Sequence, residues 1–211
     1  MRLNVDYNIR KRLLDLAYHY QLGHLSSYFS SIDLINTIYS LMKKNDKFIL
    51  SNGHAAVALY VVLEKYYDFL DAEELYLKHG EHPKLSTKEN IYCSTGSLGM
   101  GLTVATGLAY AEQQNTIHCL ISDGECYEGS VWESLSFIKL NNIKNIKIYV
   151  NANGYSAYDS VDLKYLEKKL KSFLPEIIFV KTTSFLNSFN NIDGHYKRLT
   201  QEEYDLAIKE L

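Results

Sequence analysis

The apolar residues of this chain follow two spacings, a helical period over long stretches and short unbroken runs between them. The helical period predicts helices over residues 5–20, 30–42, 55–63, 72–79, 99–113, 129–140, 163–173 and 200–209. Ser31 is expected to cap the second of these helices, and Thr200 with Glu203 forms a capping-box pattern for the last. The short runs predict strands over residues 47–50, 116–121, 146–150 and 176–181. Because strands and helices alternate, the pattern predicts a three-layer α/β fold with a mainly parallel sheet.

Composition narrows the class of protein without indicating a function. The 211 residues are 46% apolar with a net charge of −3, which is ordinary for a globular protein with one core. Mixed charges without a basic stripe argue against a nucleic-acid partner. Cys93, Cys119 and Cys126 show neither metal spacing nor a disulfide framework, so we expect a reducing cytoplasm. Without linkers, a signal sequence or an apolar run of ~18 residues, we expect one domain over residues 1–211 and no membrane partner.

Two of the predicted strands end in polar residues that suit metal and phosphate binding. Asp123 and Asn153 follow consecutive strands and lie about thirty positions apart, roughly the span of one strand–helix–strand crossover. Parallel neighbouring strands bring such residues to the carboxyl edge of the sheet, where α/β proteins bind ligands. Their oxygens suit a hard cation such as Mg²⁺, and Gly124 allows a turn into a helix whose N-terminus can receive phosphate. Taken singly, either residue is equally well explained as a turn residue after a strand.

The residues Asp-Gly-Glu at 123–125 and Asn-Gly-Tyr at 153–155 resemble the thiamine diphosphate signature of the transketolase family. The likeness covers roughly residues 13–211 and extends to the amino-terminal half of transketolase, which some organisms make as a separate subunit. It implies the diphosphate-binding fold of that family, with thiamine diphosphate and Mg²⁺ (or Ca²⁺ or Mn²⁺) as cofactors. The resemblance places the cation on the Asp123 carboxylate, the Asn153 amide oxygen and the backbone carbonyl of Tyr155.

Further motifs of the family recur at residues 23–24, 48–55, 79–83, 93–102 and 194–195, and the resemblance assigns them roles. The residues that it places at the cofactor are His54, Gly96, Ser97, Leu98, Gly124, Glu125, Asn153 and His195. The residues that it implies in catalysis or proton transfer are His24, His54, His82, His195 and Glu128.

Most of these residues also have a plainer explanation. His24 could end a helix or lie in the core, His54 could cap a helix, and Glu128 could be a solvated carboxylate at a helix start. His79 and His82 have a zinc-like spacing, but nearby thiol or third-histidine ligands are missing from the sequence. We therefore expect no zinc and place His79 at the surface. The glycines of residues 96–101 could serve tight packing alone.

Two features depart from the family pattern. Ser122 replaces the glycine that is usual before Asp123, and a serine fits there only if its φ is negative. Residues 156–175 form a shorter excursion than the family has. We expect this contraction to change the wall of the substrate channel, which allows a different acceptor.

The resemblance implies transfer of a two-carbon ketol unit from a ketose phosphate to an aldose, with specialised sugar biosynthesis as one setting. In the family, the glutamate that activates the cofactor and the aromatic ring that stacks on its pyrimidine come from another domain. We therefore expect a carboxyl-terminal partner subunit that supplies both, in a two-plus-two heterotetramer. The alternatives are 1-deoxyxylulose phosphate synthesis, 2-oxoacid decarboxylation and a non-catalytic scaffold that only binds the partner.

Overall fold

The computed structural model describes residues 1–156, 159–186 and 197–211. The α-helices in these ranges are α1 Tyr7–His19, α2 Leu25–Leu41, α3 Ala56–Tyr66, α4 Ala72–His79, α5 Met100–Ala111, α6 Gly129–Leu140, α7 Leu163–Phe173 and α8 Gln201–Glu210. The strands are β1 Lys47–Leu50, β2 Ile117–Ser122, β3 Ile146–Ala152 and β4 Ile178–Lys181, and short 3-10 turns cover Gly53–Ala55, Thr87–Glu89 and Gly124–Tyr127. None of the helices described here combines the length and apolar character that crossing a membrane requires.

Two compact units make up the described chain, and each has its own secondary structure. The sheet unit comprises residues 1, 41–53 and 82–181 and contains β1 to β4 with α5, α6 and α7. The helical unit comprises residues 2–40, 54–81 and 182–211 and contains α1 to α4 and α8. That residues 1–211 act as a single domain stays a prediction.

The sheet unit is built on four parallel strands in the order β1-β2-β3-β4. Leu50 pairs with Leu120 and Ser122 pairs with Asn151, so the carboxyl ends of neighbouring strands lie along one edge. Parallel strands need long crossover connections, and α6 links β2 to β3 while α7 links β3 to β4. This arrangement confirms the predicted α/β fold with a parallel sheet.

One face of the sheet carries the apolar core of this unit. Alternate side chains of a strand point to the same face, so every second residue of β2 and β3 contributes to the core. These side chains pack with apolar residues of α5, α6 and α7, and the cluster includes Ile117, Cys119, Ile121, Ile148, Val150, Leu102, Leu135 and Leu170. Each fully buried Leu or Ile contributes roughly 1.5–3 kcal/mol relative to exposure. The core thereby fixes the strands whose ends form the edge.

The second helix differs from its prediction. α2 begins at Leu25 rather than at residue 30, and Ser31 lies inside it, fully buried, so the prediction of Ser31 as the cap is wrong. Residues 27–39 of α2 are all buried. A helix that is buried on every side has no solvent-exposed face. Its apolar and polar residues therefore do not alternate with the helical period, and that period could not mark where the helix begins.

Side-chain caps define the starts of several other helices, and one of these caps is predicted from the sequence. Asp71 caps α4 and Asp162 caps α7, each by accepting a backbone N–H of the first turn. Thr200 and Glu203 form the predicted capping box of α8. The bounds of α4, α6 and α7 are those predicted from the sequence.

His79, the last residue of α4, corrects another expectation. Its side chain is buried, with 6% exposed, and its ring centroid lies 6.1 Å from that of Tyr60 on α3. Leu75, one turn earlier on the same helix face, is buried as well. The prediction of a surface position for His79 is therefore wrong, because it shares the face with which α4 packs on α3.

Candidate functional site

The carboxyl ends of β2 and β3 meet in a cluster of oxygen atoms and backbone donors. Asp123, the first residue after β2, accepts hydrogen bonds on its carboxylate from the backbone N–H groups of Gly124 at 3.0 Å and Gly154 at 2.7 Å. Its own N–H donates to the Asn151 carbonyl at 3.1 Å. The Asp123 side chain thus reaches from β2 to the loop after β3. The prediction that these two strand ends lie side by side is confirmed.

Residues 153–156 form a tight loop that lies against Gly124. The Asn153 amide oxygen accepts the Tyr155 N–H at 2.9 Å, and Gly154 has φ +90, in the left-handed region that favours glycine. A Cβ on Gly124 would lie 3.2 Å from Ser156 Cα and 3.7 Å from the Tyr155 carbonyl oxygen. An amide oxygen has two lone pairs, so Asn153 can accept from Tyr155 and still bind a cation.

Asp123 is a buried carboxylate without a compensating positive charge. Its side chain is fully buried, and burial raises its pKa to about 7 although the two backbone hydrogen bonds lower it. Within the described residues, no Lys, Arg or His side chain forms an ion pair with it. A divalent cation is the kind of group that supplies the missing charge.

The donor set at this edge fits Mg²⁺ on a diphosphate better than a cation held by protein alone. Asp123, Asn153 and the Tyr155 carbonyl offer oxygen atoms only, and one of them is charged. In the part of the chain that the structure describes, no three His, Cys, Asp or Glu side chains come together as a metal cage. Mg²⁺ characteristically uses one or two carboxylates and completes its shell with phosphate oxygens and water.

The loop before α5 packs closely on Gly53, which follows shortly after β1. A Cβ on Gly53 would lie only 2.6 Å from the backbone carbonyl carbon of Thr95, an approach that glycine alone permits. Gly96 and Ser97 are exposed, and Leu98 is half-buried. The packing therefore holds this glycine loop, residues 93–99, and leaves the three residues predicted at the cofactor accessible.

Glu125 is fully buried in the 3-10 turn after β2. Its Oε1 accepts the Ser51 hydroxyl at 2.6 Å and the Gly99 backbone N–H at 2.8 Å, and its Oε2 accepts the Ser122 N–H at 2.9 Å. Burial raises the pKa of Glu125, and these hydrogen bonds oppose the rise. Both oxygens of this predicted cofactor residue thus already accept hydrogen bonds from protein groups.

The chain around Ser122 meets one expectation and departs from another. Ser122 is not among the described non-glycine residues with positive φ, so the condition for a serine at this position is met. The chain then enters the 3-10 turn Gly124–Tyr127, and α6 begins only at Gly129. α6 begins at the predicted residue, but the turn at Gly124 leads first into the 3-10 turn, so no α-helix N-terminus lies directly at Gly124. Glu128 is instead the exposed residue that precedes α6, without a side-chain capping bond.

The predicted histidines fall into separate groups. In the helical unit, the ring centroids of His24 and His54 lie 5.5 Å apart. His24 has φ +56, and its carbonyl accepts two backbone N–H groups from the first turn of α2, so it begins a helix rather than ending one. In the sheet unit, a Cβ on Gly96 would lie 3.0 Å from Cδ2 of His82, which places His82 beside the glycine loop. His195 lies outside the described residues.

A second buried polar network, at the amino end of β2, is absent from the sequence prediction. His118 is fully buried, with Nδ1 3.1 Å from the Tyr149 hydroxyl and Nε2 3.2 Å from the Asp46 carboxylate. Asp46 also accepts two backbone N–H groups, at 2.9 and 3.2 Å. The signal in the sequence is His118 itself, a polar residue inside an apolar run. Ser51 and Ser122, which lie at the ends of such runs, give a similar signal of buried polar contacts.

Comparisons with known proteins identify the family. The sequence matches the family described as "Transketolase, thiamine diphosphate binding domain" over residues 8–174. Transketolase from Pongo abelii is 35% identical over 131 residues, which cover 57% of this chain and 21% of that protein. One of the subunits of the apulose-4-phosphate transketolase from Phocaeicola vulgatus is 29% identical over 163 residues, which cover 68% of this chain and 58% of that polypeptide.

The fold agrees with that of solved transketolase structures. The crystal structure of a transketolase variant from Pichia stipitis has a TM-score of 0.79 at 19% identity, over 93% of this chain and 38% of that chain. The sequence match spans 21% of the Pongo abelii protein and 58% of the Phocaeicola vulgatus polypeptide, so this chain corresponds to part of each. By its sequence over residues 8–174, the chain belongs to the transketolase family and carries the thiamine diphosphate binding domain of that family.

Proposed function

We propose that this chain binds thiamine diphosphate through a divalent cation at the carboxyl edge of the sheet. The Asp123 carboxylate, the Asn153 amide oxygen and the Tyr155 carbonyl hold the cation, with Mg²⁺ as first choice and Ca²⁺ or Mn²⁺ as substitutes. The observation that carries the proposal is the fully buried Asp123 carboxylate, held at 2.7 Å by the Gly154 N–H of the next strand end. Folding has already removed water from the Asp123 carboxylate. A bound cation therefore gains the electrostatic attraction without a further desolvation penalty for that carboxylate.

Other residues bind and orient the cofactor in this proposal. Gly96 and Ser97 approach it through exposed backbone, and Leu98 offers an apolar side chain to its rings. Gly124 allows the diphosphate to lie close to the backbone after β2. His54 and His195 are the remaining residues proposed to contact the cofactor. Glu125 belongs to the set without direct contact, since both of its oxygens accept hydrogen bonds from protein groups.

Histidine side chains serve the substrate and its protons. His24 and His54, with rings 5.5 Å apart, present N–H donors to the carbonyl and hydroxyl oxygens of a sugar phosphate. His82, beside the glycine loop, His195 and the exposed Glu128 are the further groups proposed for proton transfer. Thiamine diphosphate, when bound, supplies a nucleophilic carbon and an electron sink for breaking the bond next to a ketose carbonyl. The reaction is the transfer of a two-carbon ketol unit from a ketose phosphate to an aldose.

The proposed enzyme consists of two kinds of polypeptide. Support comes from the Phocaeicola vulgatus relative, of which the match covers 58%, against 21% of the Pongo abelii transketolase. A partner subunit supplies the activating glutamate and the aromatic ring that stacks on the pyrimidine, in a two-plus-two heterotetramer. Residues 1–211 form one diphosphate-binding domain of this cytoplasmic assembly. The short segment 156–175 opens the acceptor side to a specialised sugar.

Calorimetry and a transfer assay test the proposal in two steps. The purified chain is titrated with thiamine diphosphate in Mg²⁺, alone and together with the candidate partner polypeptide. Both samples are then assayed for ketol transfer on a panel of ketose phosphates and aldoses that includes apulose 4-phosphate. We expect Mg²⁺-dependent uptake of the cofactor, and transfer by the pair.

Each contrary result points to a specific alternative. If the assembled pair takes up no cofactor, the chain is a non-catalytic scaffold. Ketol transfer at full rate by the isolated chain contradicts the need for a partner. Decarboxylation of a 2-oxoacid without ketol transfer places the enzyme with 1-deoxyxylulose phosphate synthesis or the 2-oxoacid decarboxylases.

A further inference from the structure

Glu125 joins three segments of the sheet unit, two of which carry candidate cofactor residues: the glycine loop and the turn after β2. Ser51, whose hydroxyl donates to Oε1 at 2.6 Å, directly follows β1. Gly99, whose N–H donates to the same oxygen at 2.8 Å, ends the glycine loop. Ser122, whose N–H donates to Oε2 at 2.9 Å, closes β2 next to Asp123. One buried carboxylate therefore connects parts of the edge that are far apart in sequence.

We propose that Glu125 is a positioning residue, which sets the glycine loop and the cation ligand Asp123 at the spacing that the cofactor requires. The inference rests on the proposed function, because that spacing serves a ligand only if the edge binds thiamine diphosphate. Its carboxylate is fully buried and contacts protein donors on both oxygens, so it acts through Gly99 and Ser122 rather than on the cofactor. A carboxylate suits this role because its two oxygens accept several hydrogen bonds without donating any.

The serine at 122 belongs to the same arrangement. Its hydroxyl accepts the Glu125 N–H at 3.2 Å and lies 3.4 Å from Oε2, contacts that a glycine lacks. Ser122 and Glu125 thus hold each other through both backbone and side chain. We infer that the departure from the usual glycine strengthens the placement of Asp123, the residue that follows.

Glu125→Gln tests the inference, with the exposed Glu176→Gln as the matched control. Glutamine keeps the size of the side chain, but its NH₂ faces either the Gly99 N–H or the Ser122 N–H, whichever way the amide lies. In the full chain, we expect hydrogen exchange of the amides at residues 99 and 122 to accelerate by about tenfold, with exchange in β3 unchanged. We also expect about tenfold weaker binding of thiamine diphosphate in Mg²⁺.

Two milder variants keep the test open if Glu125→Gln does not fold. Ser51→Ala and Ser122→Gly each remove one hydroxyl, and we expect faster exchange at residue 99 in the first and at residue 122 in the second. Each should weaken cofactor binding less than Glu125→Gln does. A purely structural role predicts a lower unfolding temperature and an unchanged affinity of the folded chain.

The outcomes separate this inference from the proposed function. Unchanged exchange at residues 99 and 122 overturns the positioning role, and so does equal acceleration throughout the sheet. Faster hydrogen exchange confined to residues 99 and 122, together with an unchanged affinity for thiamine diphosphate, overturns the positioning role as well. A wild-type chain that takes up no thiamine diphosphate contradicts the proposed function, and the exchange data then still decide whether Glu125 holds the two loops.

Discussion

The two ends of β2 both bury polar groups, but the groups are compensated in opposite ways. At the amino end, His118 contacts Asp46 and Tyr149, and each of these groups has a hydrogen-bond partner inside the protein. At the carboxyl end, Asp123 is equally buried, but its partners among the described residues are backbone N–H groups, and burial raises its pKa to about 7.

Under the proposed function, this difference separates polar groups that stabilise the fold from polar groups that bind a ligand. A buried network whose members are all paired holds the strands together, whereas an uncompensated buried charge lowers stability until a counter-charge binds. In this proposal, the amino end of β2 stabilises the fold and its carboxyl end binds the cation. Changes at the two ends should give opposite patterns of affinity and stability.

The largest expected effect comes from Asp123→Asn. The amide removes the negative charge that attracts the cation, so we expect Mg²⁺-dependent binding of thiamine diphosphate to weaken by at least about 100-fold. The unfolding temperature of the ligand-free chain should change little, because removal of a buried charge is offset by the new amide NH₂, which faces the N–H of either Gly124 or Gly154. Calorimetry and thermal unfolding measure the two quantities, with the exposed Asp68→Asn as control. Undiminished binding would exclude Asp123 as a cation ligand.

Removal of divalent cations should have the next largest effect. A ligand at one hundred times its Kd stabilises a protein by about 2.7 kcal/mol. We expect thiamine diphosphate to give this gain only with Mg²⁺, since the diphosphate and Asp123 are both negative. Thermal unfolding with cofactor, before and after addition of EDTA, measures it, with metal alone and cofactor alone as controls. Stabilisation that survives chelation would show that other groups hold the diphosphate.

At the amino end, His118→Gln should lower stability and leave binding unchanged. The substitution breaks a buried network and leaves Asp46 or Tyr149 without its partner, which costs about 1–3 kcal/mol of unfolding free energy. Chemical denaturation measures the loss, and calorimetry on the same samples should give the wild-type affinity for thiamine diphosphate. A loss of affinity similar to that of Asp123→Asn would show that the two ends of β2 are coupled.

The smallest expected effect is on the pH dependence of stability. Burial lowers the pKa of His118 below its ordinary value of 6.5; Asp46 opposes this shift and Lys147 adds to it. The unfolded chain therefore binds the proton more readily than the folded one, so the unfolding free energy falls as the pH decreases from 6.5 toward the lower folded pKa. The slope from this group is at most ~1.4 kcal/mol per pH unit.

Comparison of two proteins isolates that slope. Denaturation curves for the wild type and His118→Gln, measured at several pH values below 7, should show the steeper decline in the wild type. Lys168→Gln, an exposed change on α7, is the control for surface charge. Identical slopes for the wild type and His118→Gln would contradict the assignment to His118.

The sequence predicts the adjacent carboxyl ends of β2 and β3 well because the signals are local. Asp123 and Asn153 each follow an apolar run, and the spacing between the runs predicts that their strands are neighbours. The helical period predicts the bounds of α4 and α7, and in the structure Asp71 and Asp162 cap these helices where they begin. These features depend on a few consecutive residues.

The features that the sequence does not predict depend on contacts between distant segments. Glu125 is buried because Ser51 and Gly99 bring donors to it, and no local pattern distinguishes it from an exposed glutamate. His79 is buried because α4 packs on α3 with that face. The start of α2 at Leu25 is hidden because the helix is buried along most of its length.

The register of β1 has a consequence for how the molecule folds. β1 pairs with β2 although residues 51–116 separate them, whereas β2, β3 and β4 follow one another with one helix between each pair. Closing the longer loop costs more chain entropy, so β1 should join the sheet late and bring Ser51 to Glu125 with it. A folding intermediate of β2, β3 and β4 alone should therefore be compact yet unable to retain the coenzyme, so that loading follows completion of the fold.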